Sequence, residues 1–287
     1  MVQCHEAQNN RKKGTYNDAI DYLYRSFTQI IMYSFNSRVR YSELAADKRL
    51  SLVSIINYFQ DCCTFEAEDN DIGLKWLAEH HTSWMLTNWQ IHILRRPRYC
   101  EDIEITTWAS GFKFFVGKRS FLIRSASGEA LVYALSEWAY VNVAKNRPEK
   151  DVPEKELEVY GLATPIEKRF SEFGIPLSEE EQLLKGKIDI SFLKDIDFSY
   201  LKTKTNPIVV SGEHLDTNNH VNNAQYIAFA TTQLPADFKA RIFRAEYKMQ
   251  SKLGDIIYPT VQPTDNGYIV VLYDEEGNVK LVCEFMA

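Results

Sequence analysis

A chain of 287 residues with 45% hydrophobic side chains can bury one large core or two of moderate size. Its formal charge of -6 argues against general nucleic-acid binding through a basic face, and no apolar run approaches the length of a membrane span. The five cysteines, Cys4, Cys62, Cys63, Cys100 and Cys283, are odd in number and fit no zinc spacing, so reduced thiols in a cytoplasmic setting are expected.

Residues 1–31 read as an appendage. Ile20, Leu23, Phe27, Ile30 and Ile31 recur at helical spacing, which predicts a short amphipathic helix from about Asn17. Residues 37–42 alternate as a strand, with Val39 and Tyr41 on one side. Leu52, Ile55, Ile56, Phe59, Cys62 and Cys63 then repeat at three and four residues and predict a strongly apolar helix ending near residues 70–73. The adjacent cysteines inside it read as small buried hydrophobes. From Trp84 the pattern turns to strands, at about 83–94, 102–112, 115–125 and 130–143, rich in β-branched and aromatic side chains. Residues 146–206 are dense in Asp, Glu and Lys and are interrupted by Pro148, Pro153, Pro165 and Pro176. They are too long for a bare loop. A connector with one short helix near 178–184 is expected, crossing the back of both halves and pinned by Leu193, Ile196, Phe198 and Tyr200.

The second half repeats the first, with a strand at 207–213, a helix at 222–234, and strands near 240–250, 255–262, 267–273 and 278–286. The repeat is unequal. The first half offers Asp47 ahead of its helix and Ser51 where the second half has His220. Only the second half packs Asp216, Asn218 and His220 into five residues on a turn that feeds a helix. A helix N-terminus presents unpaired N–H groups and partial positive charge, suited to an oxyanion. On composition alone the stretch reads equally as an Asx-rich turn with Asn222 as N-cap. Cys283 with His220 forms a formal thiol–imidazole pair, but a buried strand cysteine is the simpler reading. His80-His81 lacks acidic or thiol partners at ligand spacing and reads as a solvated helix end, so neither a metal nor a cofactor is expected.

The order Asp216-x-Asn218-x-His220-Val221-Asn222-Asn223-x-x-Tyr226-Ile227 resembles the active-site signature of plant and bacterial acyl-ACP thioesterases. Trp84, Gln90-Ile91-His92-Ile93, Arg95-Arg96-Pro97, Thr107-Trp108, Arg119-Ser120-Phe121, Trp138 and Arg147-Pro148 extend the likeness. The resemblance implies an α+β double hotdog, in which each half wraps a curved antiparallel sheet around one long helix. It divides the chain into an extension (1–31), an N-terminal hotdog holding the acyl pocket (32–145), a linker (146–206) and a catalytic C-terminal hotdog (207–287). Relatives begin near Met32-Tyr33-Ser34, so the extension is either an accessory helix or the product of an upstream start.

The implied reaction is hydrolysis of fatty acyl-ACP to free fatty acid and acyl carrier protein. Asp216 would be base or nucleophile, Asn218 would orient water or substrate, and His220 would hydrogen-bond to either and tune the carboxylate. Asn222 and Asn223 would lie at the substrate, with Ile55, Phe59, Trp84 and Trp108 along the acyl tail. Relatives also carry a glutamate on the strand after the second helix. Alignment places Gln250 there, a residue that can hold a water but cannot act as a base. Glu246, on the same strand face but about 13 Å away, is a poor substitute, and Ser251 would face the other way. An acidic carrier calls for a basic rim, from Arg95, Arg96 and Arg98 or from Lys113, Lys118 and Arg119. Acyl-CoA hydrolysis and a non-catalytic acyl-binding hotdog stay open beside this reading, as does a homodimer.

Overall fold

The computed structural model describes residues 32–161, 170–175 and 186–287. The helices expected near 17–31 and 178–184 lie outside the described residues. Strand β1 (Tyr33–Arg38) alternates inward and outward and leads to a 3-10 turn at Tyr41–Glu43. Tyr41 is in that turn and 80% exposed, so the expected strand ends before it, while Val39 is buried. Helix α1 (Leu52–Asp69) follows, capped by Ser51, whose Oγ accepts the Ser54 N–H. No Gly or Pro interrupts it, and it stops where Asp71 turns to a left-handed φ of 58°. Helix α2 (Leu74–Glu79) then leads into strands β2 (Thr82–Ile93), β3 (Asp102–Lys113), β4 (Val116–Ser125) and β5 (Ala130–Asn142), with the short β6 (Arg147–Pro148) on β5.

The connector carries helix α3 (Glu154–Tyr160), a 3-10 turn at Ser191–Asp195 and helix α4 (Phe198–Lys204). The second half is β7 (Ile208–Val209), helix α5 (Asn223–Thr231), β8 (Ile242–Tyr247), β9 (Ile256–Thr264), β10 (Gly267–Tyr273) and β11 (Val279–Met286). Helix α5 is shorter than the expected 222–234, and β8 stops three residues before the expected 250.

All these strands join one antiparallel sheet in the order β1-β3-β4-β5-β2-β8-β11-β10-β9-β7. That order is a palindrome of two five-strand units meeting at β2 and β8. Asn88 pairs with Glu246, Gln90 with Arg244 and His92 with Ile242, so the pairing is centred on Gln90 and Arg244. The sheet therefore curls around α1 and α5, as in a double hotdog.

The concave face holds the main core. Ile55, Ile56, Phe59 and Cys62 form the buried stripe of α1, and Ile227 and Ala230 that of α5. Phe59, Trp89 and Phe121 stack with centroids 4.9–5.8 Å apart. The convex face is covered by the connector. Phe170 and Ile175 seal Trp108, Leu122 and Tyr133, and Ile188, Leu193, Phe198 and Leu201 pack over Ile269, Val271 and Tyr273. Leu193 and Phe198 thus pin the connector as expected. Tyr200 does not: it is 62% exposed, and Leu201, one helical step on, packs in its place.

Candidate active site

The turn before α5 is held by its own backbone. Leu215 and Val221 bridge, the Asp216 N–H donates to the His220 carbonyl at 2.8 Å, and the Asn219 N–H donates to the Asp216 carbonyl at 3.1 Å. Asn219 sits at a φ of 59°, a left-handed position that asparagine tolerates. Asp216 Oδ1 accepts the N–H groups of Asn218 (2.8 Å) and His220 (3.1 Å). The carboxylate thus orders the turn, whatever else it does. Asn222 is the N-cap, its Oδ1 accepting the Ala224 N–H at 2.8 Å. Asn223 donates from Nδ2 to Gln60 Oε1 on α1 at 2.9 Å and accepts the Tyr247 hydroxyl on its carbonyl at 3.0 Å. Asn218 is exposed and His220 half-buried, and neither side chain has a hydrogen-bond partner among the described residues.

The first half contains the same turn. Leu44 bridges Leu50, the Ala45 N–H reaches the Arg49 carbonyl at 2.8 Å, and Lys48 takes a φ of 61°. Ser51 donates its N–H to Glu43 as Asn222 does to His214, each at 2.9 Å, and Leu50 donates to Pro97 as Val221 does to Ser251. These bonds correct the alignment read from the sequence. Ser51 matches Asn222, cap for cap, and not His220. Asp216, Asn218 and His220 correspond to Ala45, Asp47 and Arg49, and Gln250 corresponds to Arg96. In the first half, Arg96 forms an ion pair with Asp47. The same two positions in the second half are Gln250 and Asn218, two neutral amides.

The strand argument for Gln250 fails for a related reason. Strand β8 ends at Tyr247, and residues 248–255 form a loop in which the N–H groups of Lys248 and Met249 both turn to the Lys280 carbonyl. Gln250 and Ser251 are therefore loop residues and not strand positions, although the two still point opposite ways. Gln250 is exposed, with Nε2 3.8 Å from Met85 Sδ, while Ser251 is fully buried. Glu246 is occupied on the convex side. Its carboxylate accepts the Ile188 N–H at 2.7 Å and the Lys248 ammonium.

A cavity of about 210 Å³ runs along α1. Gln60, Cys63, Thr64 and Ala67 form its helical wall, Trp84, Phe112, Gly117 and Arg119 its sheet wall, and Tyr160 of α3 also lines it. Asn218 reaches it from the second half, the one member of the polar turn to do so. Of the four side chains expected along an acyl tail, only Trp84 lines this space. Ile55 and Phe59 lie on the adjoining stripe of α1 and fill the concave core, and Trp108 points to the convex face under Phe170. Both corrections follow from geometry: the most apolar stripe of a helix packs solidly, and small or polar residues beside it leave room. Gln60, Cys63, Thr64 and Ala67 are the signal that sequence reasoning passed over.

Arg119 of the sheet wall forms an ion pair with Glu66, both nearly fully buried. The guanidinium also donates to Thr107 Oγ1 at 3.2 Å and lies 4.7 Å from the Tyr160 ring centroid. Burial pushes the Cys63 thiol up to about 11, so it stays protonated and poorly nucleophilic at neutral pH. Burial also raises the Glu156 carboxyl, although it accepts the Trp84 indole N–H at 2.6 Å and so fastens α3 to β2. The first expected basic cluster is largely neutralised. Arg95 pairs with Glu101 and Glu129, and Arg96 with Asp47. In the second, Arg119 is buried, and Lys118 pairs with Glu137 at 3.1 Å on the cavity edge. His80 stacks on Trp76 and contacts its carbonyl at 2.8 Å. Cys283 is buried in the concave core.

The model of a family described as the acyl-ACP thioesterase N-terminal domain matches residues 31–160, which include every first-half residue of the cavity. A chloroplastic acyl-[acyl-carrier-protein] hydrolase of Cuphea viscosissima is 26% identical over 206 residues, 69% of this chain and 46% of that protein. The chloroplastic palmitoyl-acyl carrier protein thioesterase of Arabidopsis thaliana is 26% identical over 218 residues, 74% of this chain and 49% of that protein. The chain thus spans about half the length of these curated relatives. Among solved structures, an acyl-ACP thioesterase from Bacteroides thetaiotaomicron superposes with a TM-score of 0.73 at 18% identity, covering 89% of this chain and 97% of that one. The 12:0-ACP thioesterase from Umbellularia californica does so with a TM-score of 0.69 at 16% identity, covering 89% and 96%. At such identities the superpositions establish the fold. The acyl-ACP thioesterase match ends at residue 160, so the polar turn at 212–226 lies beyond it.

Proposed function

We propose that the chain is an acyl-ACP thioesterase that hydrolyses fatty acyl-ACP to free fatty acid and acyl carrier protein. One observation carries the reading: a single cavity is lined by first-half side chains and by Asn218 of the polar turn at the N-terminus of α5. In this reading the tail lies along α1 and the thioester carbonyl meets the turn. The Asn223 N–H at the start of α5 holds the oxyanion, the N–H groups of Ala224, Gln225 and Tyr226 being taken by Asn222. Asp216, oriented through Oδ1 by two backbone N–H groups, takes a proton from water with its other oxygen. The resulting hydroxide adds to the carbonyl carbon. The tetrahedral adduct then expels the carrier thiolate, which recovers the proton. Asn218 and Gln250 position the water, His220 hydrogen-bonds to substrate or water, and Asn222 and Asn223 fix the helix start against Gln60. Free thiols at Cys62, Cys63, Cys100 and Cys283 suit a reducing compartment such as the cytoplasm.

Gln250 favours a second reading, a non-catalytic acyl-binding protein, because it puts no second carboxylate beside Asp216. Acyl-CoA hydrolysis differs from the first reading only in the carrier. One assay separates the three. Purified protein is given the same acyl group on acyl carrier protein and on coenzyme A, and released fatty acid is measured. Faster release from the carrier protein is expected, release from coenzyme A alone points to the CoA enzyme, and binding without release points to the acyl-binding protein.

A further inference from the structure

We infer, resting on the thioesterase reading for the task of Gln250, that Lys280 is a positioning residue of the polar site. Its buried ammonium, seated on Asp274, holds the main chain of Gln250 from behind and leaves the Gln250 amide free to face the water.

The two halves share one frame here and differ in one side chain. Lys280 is the extra residue of a bulge in β11, between Val279, opposite Tyr273, and Leu281, opposite Leu272. Leu131 is the extra residue of the matching bulge in β5, between Ala130, opposite Arg124, and Val132, opposite Ile123. The carbonyl of each accepts two N–H groups from the loop after β2 or β8. Leu94 and Arg95 reach Leu131 at 3.0 Å each, and Lys248 and Met249 reach Lys280 at 2.9 and 3.3 Å. The hairpins behind them match too: the Ser125 and Asp274 side chains each accept the N–H four residues on, from Glu129 and Asn278. Leu131 is fully buried in the main core. The second half has a lysine at that position and buries it as well, at 6% exposure.

A buried cation is costly unless it is paired, so its contacts are informative. Lys280 Nζ pairs with Asp274 Oδ2 at 3.1 Å and donates to the Gln250 carbonyl at 3.4 Å. Asp274 is fixed in turn by the N–H groups of Glu276 (3.1 Å) and Asn278 (2.8 Å) and by the Asn278 amide (3.0 Å). Contacts therefore run from the last hairpin to the backbone of Gln250. The first half secures the equivalent residue by its side chain, with Arg96 tied to Asp47. Gln250 could not be tied that way and still hold a water. Held through its carbonyl, it keeps an exposed amide whose one side-chain contact among the described residues is Met85 Sδ at 3.8 Å. Bulges re-aim side chains, and this one aims an ammonium at the loop.

Copying the first half tests the anchor. Lys280→Leu combined with Asp274→Ser installs the Leu131 and Ser125 types and removes both charges together, so no lone charge stays buried. With the full chain and one acyl-ACP, kcat should fall about tenfold at an unchanged KM, the effect of a displaced positioning group. Amide hydrogen exchange should quicken at residues 248–251 while α1 stays protected. In a Gln250→Ala background the same two changes should cost nothing more, because Lys280 acts through Gln250. If the double variant does not fold, Lys280→Met gives the same comparison, with Asp274 still held by its three N–H donors. An unchanged kcat overturns the inference, as does a loss of equal size with and without Gln250. Exchange at 248–251 that keeps its wild-type rate overturns it too. If the wild-type protein releases no fatty acid from any acyl-ACP, the thioesterase reading falls. Faster exchange at 248–251 then still upholds the Lys280 anchor, and unchanged exchange removes both.

Discussion

The turns at 44–51 and 215–222 share a backbone almost bond for bond, yet only one carries a polar constellation. Each has a bridge, a left-handed residue, a capping side chain and one N–H given to the loop after the second strand of its half, β2 or β8. The difference lies in four side chains. Ala45, Asp47, Arg49 and Arg96 stand in the first half, and Asp216, Asn218, His220 and Gln250 in the second. In the first half a guanidinium closes on a carboxylate, and the position of Asp216 is an alanine. In the second half the amides have no such pairing, and a carboxylate stands at the head of the turn. The helices differ in the opposite sense. Helix α1 has 18 residues and α5 has 9, and the cavity follows the longer one. The two halves thus share one scaffold: the first has the longer helix and the cavity wall, the second the polar side chains at the helix start.

The comparison breaks most directly at Asp216. Asp216→Asn preserves an oxygen for both N–H groups, so the thermal midpoint should stay close to wild type, while acyl-ACP hydrolysis should fall about 10²-fold or more. A variant that hydrolyses normally, or that loses stability and no activity, would leave Asp216 a turn residue like any other. The next effect is at position 250. Gln250→Arg copies the first half and places a guanidinium where it can pair with the Asp216 side of the turn. Hydrolysis should drop by about tenfold, the scale of one strong opposite-charge contact of 1.4 kcal/mol. Gln250→Glu should instead hold or raise the rate and shift the pH optimum upward, since a second carboxylate raises the pKa of the first. Rates that are indifferent to both substitutions would remove Gln250 from the site.

How much of this was legible depends on what kind of signal carried it. The stripe of α1 and the strands from Trp84 onward are periodic, so they can be read without tertiary knowledge. The polar turn is a compact motif and shows itself as one. The cavity wall does not, because Gln60, Cys63, Thr64 and Ala67 look unremarkable until a sheet and α3 leave space beside them. The register between the halves was also hidden. Sequence spacing suggested matching Ser51 to His220, whereas hydrogen bonding equates Ser51 with Asn222, both N-caps. Gln250 was placed on a strand because residues 240–250 contain strand-forming types. The strand ends where the backbone of Lys248 and Met249 bends toward Lys280, a long-range contact that no local pattern encodes.

The smaller effects concern stability alone and ask whether the two turns are equivalent as structures. Ser51→Ala and Asn222→Ala should each cost about 1 kcal/mol, the usual loss for an N-cap, measured by urea unfolding. Unequal losses would show that one cap carries more than its hydrogen bond, and Asn222 is the candidate because its helix is half as long. The left-handed positions should differ in a predictable direction. Lys48 and Asn219 share a φ near 60°, but lysine has no short polar side chain to ease that conformation. Lys48→Gly should therefore stabilise the protein by up to about 1 kcal/mol, and Asn219→Gly by less, because glycine relieves strain that asparagine largely avoids. Lys48 is exposed, so packing should not mask the difference. A greater gain at Asn219 than at Lys48 would mean that the second turn is the strained one, and would locate in its backbone a cost that the side-chain comparison assigns to neither half.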